Sequence, residues 1–119
     1  MARTVLVVDD HAGFRAQARI LLAAAGFDVV GEAGDAAEGL TAARRLRPHV
    51  VLLDIQLPDG NGFEVARALL DDRNPPAVVL VSSRERSDYG TPVTRSRARG
   101  FISKADLSAQ AVAALLEGV

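Results

Sequence analysis

The chain of 119 residues has no cysteine and no tryptophan, and its aromatics are one tyrosine and four phenylalanines. Without cysteine, disulfides and thiolate metal centres are ruled out, which fits a reducing compartment. Five aromatic rings give little material for base-stacking platforms. No apolar run approaches the roughly 20 residues of a membrane span, and the first residues lack a signal-peptide pattern. No membrane association and a cytoplasmic location are therefore expected. A net charge of −1 supplies no field that would draw the chain to nucleic acid or anionic lipid. Lysine is almost missing: of 14 basic residues, only Lys104 is not arginine. A compact point charge at that one place differs chemically from the planar arginine fork used elsewhere.

What is present is apolar and punctuated. Val5-Leu6-Val7-Val8 ends at Asp9-Asp10, and Val50-Val51-Leu52-Leu53 ends at Asp54. Ala77-Val78-Val79-Leu80-Val81 ends at Ser82, and Gly100-Phe101-Ile102-Ser103 ends at Lys104. Such runs read as strands buried on both faces, the habit of parallel sheets. In open parallel sheets ligands bind outside the carboxyl ends of the strands. The residues at those ends here suit a cation together with a phosphoryl group.

Helical patterns alternate with the strands. Ala12 to Ala25 carries Phe14, Ala18, Leu21 and Leu22 at helical spacing, with Gly26 following. Phe27 to Val30 reads as a short strand, and Asp35-Ala36-Ala37-Glu38 opens a helix stopped by Pro48. After the strand ending at Asp54, a turn-rich loop over 57–62 precedes a helix from Phe63 to Leu70, capped by Asn61 or Gly62. Arg84 to Arg99 is expected to hold a short or distorted fourth helix, interrupted by Gly90-Thr91-Pro92. Asp106 or Ser108 caps a last helix bearing Leu107, Ala111, Leu115 and Leu116. The tally is one domain over residues 1–119, an α/β, flavodoxin-like, doubly wound (βα)5 fold. Its five-stranded parallel sheet is expected in the order 2-1-3-4-5. That order sets strands one and three side by side and gathers Asp9, Asp10 and Asp54.

Like charges about 4 Å apart repel by roughly 4 kcal/mol at an effective dielectric near 20. Three clustered carboxylates therefore call for a cation, and Mg²⁺ fits, with oxygen ligands and retained waters. The backbone carbonyl of Gln56 can add another oxygen. His11 follows the acidic pair and reads as a solvated residue at a helix start. With a metal in place, Asp54 is the natural nucleophile for an acyl phosphate. Phosphoryl transfer needs mainly positioning and charge neutralisation. Mg²⁺, Lys104 and the Ser82 hydroxyl would each take one phosphoryl oxygen.

The same residues resemble a response-regulator receiver domain of bacterial two-component signalling, over the whole chain. Val5 to Asp10 is similar to the first strand and acidic pair of that family. Leu53 to Gly62 is similar to its phosphoacceptor strand and Pro/Gly loop, Val81-Ser82 to its strand-four Thr/Ser, and Gly100 to Lys104 to its strand-five aromatic and lysine. The resemblance implies that Asp54 accepts a phosphoryl group from a histidine kinase or small phosphodonor. It implies that Asp10, Asp54 and the Gln56 carbonyl bind Mg²⁺, with Asp9 acting largely through water, and that Phe101 is a switch aromatic coupled to Ser82. Output is then expected on the face of helix four, strand five and helix five, which can also build a homodimer. Ala105 stands where many receivers have proline, as in receivers fused to a helix-turn-helix domain. The chain is thus read as a stand-alone receiver or as the receiver portion of a transcription regulator with a C-terminal DNA-binding domain.

Three other readings share some of these residues. A haloacid-dehalogenase-like phosphatase also uses Asp, Ser/Thr, Lys and acids around Mg²⁺, but needs a second Asp where this chain has Gln56. A flavodoxin-like cofactor binder would find its phosphate repelled by Asp9-Asp10. A pseudo-receiver serving only as an interaction module is opposed by the complete set of site residues. Arg44-Arg45-Arg47 and Arg95-Arg97-Arg99 lack interleaved aromatics, so a solvated face or ion pairing is expected there rather than direct nucleic-acid binding.

Overall fold

The computed structural model describes residues 2–84, 89 and 95–117. Five strands, β1 (Thr4–Val8), β2 (Asp28–Ala33), β3 (Val50–Asp54), β6 (Ala77–Ser82) and β7 (Gly100–Ser103), form one sheet in the order β2-β1-β3-β6-β7. All its pairings are parallel. With β6 and β7 as fourth and fifth, this is the expected order 2-1-3-4-5. Two short strands, β4 (Gln56–Leu57) and β5 (Gly60–Asn61), pair antiparallel in the loop after β3, where the sequence shows only turn residues. β2 runs three residues past the expected Val30. Its register skips a residue between Val5 and Leu6, so that Leu6 pairs with Gly31.

Alternation along the buried strands sorts side chains to two faces. Leu6, Val8, Val51, Leu53, Val78 and Leu80 pack with Ala42 and Ala43 of α2 (Ala36–Leu46) and with Val65, Ala66 and Leu69 of α3 (Gly62–Leu70). Val5, Val7, Leu52, Val79 and Val81 face the other way. They meet Ala18 and Leu22 of α1 (Ala12–Ala24) and Val112 and Leu116 of α4 (Ala109–Leu116). Each fully buried Val or Leu contributes about 1.5–3 kcal/mol. The slab is therefore strong behind the strand ends where the polar residues stand.

The helix ends follow local chemistry. Asp35, Asn61 and Ser108 each accept the backbone N–H three residues on, at 2.7, 3.1 and 2.9 Å, and so cap α2, α3 and α4. α1 ends in a Schellman motif: Phe27 N–H reaches Leu22 O at 3.1 Å and Gly26 N–H reaches Ala23 O at 3.0 Å. Gly26 has φ +91°, a left-handed conformation that a side chain would strain. The expected fourth helix and its Gly90-Thr91-Pro92 interruption lie largely outside the described residues.

At the amino ends of the strands, away from Asp54, lies a cavity of about 910 Å³. Arg3, Arg44, Arg47 and Arg73 are among its lining residues. Among the described residues no helix is long and apolar enough to cross a membrane.

Candidate functional site

Sheet register brings the polar strand ends level. Val8 pairs with Leu53, Asp54 with Val81, and Ser82 with Ser103. Asp9 and Asp10 therefore follow β1 beside the carboxyl end of β3, while Lys104 opens a 3-10 turn (Lys104–Asp106) directly after β7.

Asp9 is fully buried. Its Oδ1 accepts the His11 backbone N–H at 2.8 Å, and its Oδ2 lies 2.6 Å from Lys104 Nζ. That second contact is an ion pair by distance, yet Oδ2 is aligned for no hydrogen bond. Lys104 Nζ also reaches Asp54 Oδ2 at 3.4 Å and lies 4.5 Å from the centre of the Phe14 ring. Arg15 steadies the acidic turn: Nη1 donates to the Asp9 carbonyl at 2.6 Å, and Nε pairs with Glu32 at 3.0 Å.

Asp54 is only 3% exposed. Burial pushes its carboxyl up to about 6, and the neighbouring charge of Asp9 adds to the rise. Lys104 and the Gln56 backbone N–H, which donates to Oδ1 at 3.2 Å, pull the other way without winning. The Gln56 side chain is exposed on β4.

The local fold keeps this carboxylate in place. Gly62, the first residue of α3, donates its N–H to Ile55 O at 2.7 Å. A Cβ there would lie 2.5 Å from the Asp54 carbonyl oxygen and 3.0 Å from Ile55 Cα. The helix can approach the end of β3 this closely only because the residue is glycine. Asp59, at the tip between β4 and β5, accepts Ala36 N–H at 2.7 Å and Ala37 N–H at 3.0 Å. It thereby ties the site loop to the start of α2.

Asp9, Asp10, His11 and Asp54 each offer a ligand atom, and these atoms lie within 4.8 Å of one another. Oxygen donors dominate, and one buried carboxylate oxygen lacks a hydrogen bond. This donor set fits a hard divalent cation. His11 is 70% exposed, but it does more than face solvent: Nδ1 lies 3.1 Å from Asp10 Oδ1 and 3.3 Å from Asp9 Oδ1.

Ser82 is buried at the end of β6. Its Oγ accepts the Arg84 backbone N–H at 3.1 Å and shares a 2.6 Å hydrogen bond with the Tyr89 hydroxyl. Phe101 is half-buried, with its ring centre 6.0 Å from that of Tyr89. The structure thus brings Asp9, Asp10, Asp54 and Lys104 together and places Ser82 and Phe101 around Tyr89. Tyr89 was not foreseen; its sole signal is being the one tyrosine, seven residues after Ser82. Of the basic clusters, Arg44 pairs with Asp72 and Arg97 with Asp71. Arg99 donates to the carbonyls of Leu115 and Glu117 at the end of α4.

A family model described as the response regulator receiver domain matches residues 5–116. The DNA-binding response regulator MtrA of Mycobacterium tuberculosis is 42% identical over 88 residues, 74% of this chain and 38% of that protein. The virulence-factor transcription regulator BvgA of Bordetella pertussis is 35% identical over 104 residues, 87% of this chain and 50% of that protein. Among solved structures, the signal receiver domain of the response regulator NarL from Mycobacterium tuberculosis matches with a TM-score of 0.89 at 31% identity. That match covers 99% of this chain and 98% of that one. A LuxR-family two-component response regulator from Aurantimonas matches at 0.88 and 28% identity, covering 99% of this chain and 87% of that one. The chain spans half or less of the length of these curated relatives.

Proposed function

The chain belongs to the response regulator receiver domain family, and on that premise we propose that it is a phosphorylation-controlled switch with Asp54 as phosphoacceptor. The observation that carries this reading is the buried Asp54 carboxylate, held at one mouth between the acidic pair and the single lysine. A carboxylate oxygen of Asp54 attacks the phosphorus of a histidine kinase's phosphohistidine or of a small phosphodonor, and the donor departs with its own bonding pair. Asp10, Asp54 and the Gln56 carbonyl would hold Mg²⁺, with Asp9 acting through water. Bound there, the metal would supply charge neutralisation for the phosphoryl oxygens. Lys104 takes a second oxygen, the Ser82 hydroxyl donates to a third, and Phe101 follows Ser82.

Receiver domains are signalling modules rather than conventional enzymes, so the one reaction is the gain and loss of this group. Signalling takes place in the cytoplasm, where a sensor kinase's catalytic part would meet the chain. The output is transcription, through a C-terminal DNA-binding domain or as a homodimer, a reading supported by the names of the relatives, a DNA-binding response regulator and a transcription regulator. The test is incubation with acetyl phosphate and Mg²⁺, followed by intact mass measurement. A gain of one phosphoryl group, lost in Asp54→Asn and on chelation of the metal, is expected. An unchanged mass for the unaltered chain overturns the reading.

A further inference from the structure

Ser82 Oγ is buried with two hydrogen-bonding partners, and the 2.6 Å bond to Tyr89 is the shorter. The Tyr89 ring stands edge-on to Phe63 of α3 at 5.9 Å and tilted against Phe101 of β7 at 6.0 Å. One phenol therefore joins the hydroxyl at the end of β6 to aromatic side chains on two other elements.

Building on the phosphoacceptor reading above, we propose that Tyr89 is a positioning residue that latches Ser82 in the resting state and is released when Asp54 is phosphorylated. A serine hydroxyl has one proton to donate and two lone pairs to accept with. The Arg84 N–H takes one lone pair, so the bond to Tyr89 uses either the proton or the remaining lone pair. Where that bond uses the proton, Ser82 must give it up to donate to a phosphoryl oxygen, and where it uses the lone pair, the movement of Ser82 toward that oxygen draws Oγ away from the phenol. Phe101, at the switch-aromatic position, carries no hydroxyl with which to sense that event. Tyr89 supplies it, and because its ring lies against Phe63 and Phe101, its release disturbs both contacts together.

Tyr89→Phe deletes one oxygen and keeps the ring. Binding of beryllofluoride, a phosphoryl mimic, with Mg²⁺ is followed by fluorine NMR. The variant is expected to half-saturate at about two- to tenfold lower concentration, the range that one hydrogen bond corresponds to. A merely structural tyrosine would weaken binding when altered, so an unchanged or raised half-saturation overturns the latch. A second measurement uses the unaltered chain. With no tryptophan and one tyrosine, its fluorescence reports Tyr89. The emission is expected to shift on beryllofluoride binding, and Ser82→Ala without ligand is expected to resemble the bound spectrum. Binding with no tyrosine response overturns the latch alone. No binding by the unaltered chain overturns the phosphoacceptor reading and the latch with it.

Discussion

Lys104 Nζ lies 2.6 Å from Asp9 Oδ2, closer than its 3.4 Å approach to Asp54. The chain's one lysine thus stands as a cation between two buried carboxylates. An arriving metal would share that duty and free the ammonium for a phosphoryl oxygen.

Lys104→Met tests this sharing. It strands Asp9 and Asp54 facing each other and is expected to cost about 2–4 kcal/mol of stability in metal-free urea unfolding. Millimolar Mg²⁺ should recover a good part of the loss. An equal loss with and without Mg²⁺ would count against a shared role.

Asp54 gives a pH dependence of definite sign. Its folded carboxyl is raised from 3.8 to about 6, so the protonated form is favoured by folding. That stabilisation is full below about pH 4 and is lost as the pH rises through about 6. Asp54→Asn should therefore stabilise the metal-free chain at pH 7.5 by about 1–3 kcal/mol. The gain should vanish near pH 4 and shrink when Mg²⁺ is added. Thermal unfolding across pH checks it.

Gly62→Ala places a methyl 2.5 Å from the Asp54 carbonyl oxygen. Backbone, not a flexible side chain, has to yield, and a loss of about 2 kcal/mol or more is expected. Because the obstruction lies at the end of β3, phosphorylation by acetyl phosphate should slow in the fraction that remains folded.

Asp59→Ala removes both acceptors for the first N–H groups of α2, at a cost of about 0.5–2 kcal/mol. Hydrogen exchange should quicken at Ala36 and Ala37 while the central strands stay protected. Unaltered exchange at those two amides would show that the loop does not hold the helix.

The strands are legible because β1, β3 and β6 are unbroken apolar runs and β7 is marked by Gly100 and Lys104, whereas their order follows from the doubly wound fold type and from no residue directly. The cap Asp35 is legible because it acts three residues away in its own chain segment, and of the paired candidates Asn61 or Gly62 and Asp106 or Ser108 the structure selects Asn61 and Ser108. Asp59 is not legible, since it serves a helix 22 and 23 residues earlier, and no local pattern encodes that. β2 was cut short at Val30 because Gly31 and Glu32 break the apolar run, although the backbone goes on pairing through Ala33. Of the candidate site residues, Asp9, Asp10, Asp54 and Lys104 stand out in the sequence as strand terminators. Tyr89 lies on no strand end, and nothing local signals that the exposed His11 also has its ring against both acids.

The arginine-lined hollow at the amino ends of the strands lies opposite the carboxylates at the other. With a net charge of only −1, what a partner meets is set by where the charges stand: arginines at one end of the strands, where Asp72 already pairs with Arg44, and the acidic group at the other. A partner with a cationic surface would be rotated toward the acidic pole before contact, so its capture rate should fall as ionic strength rises.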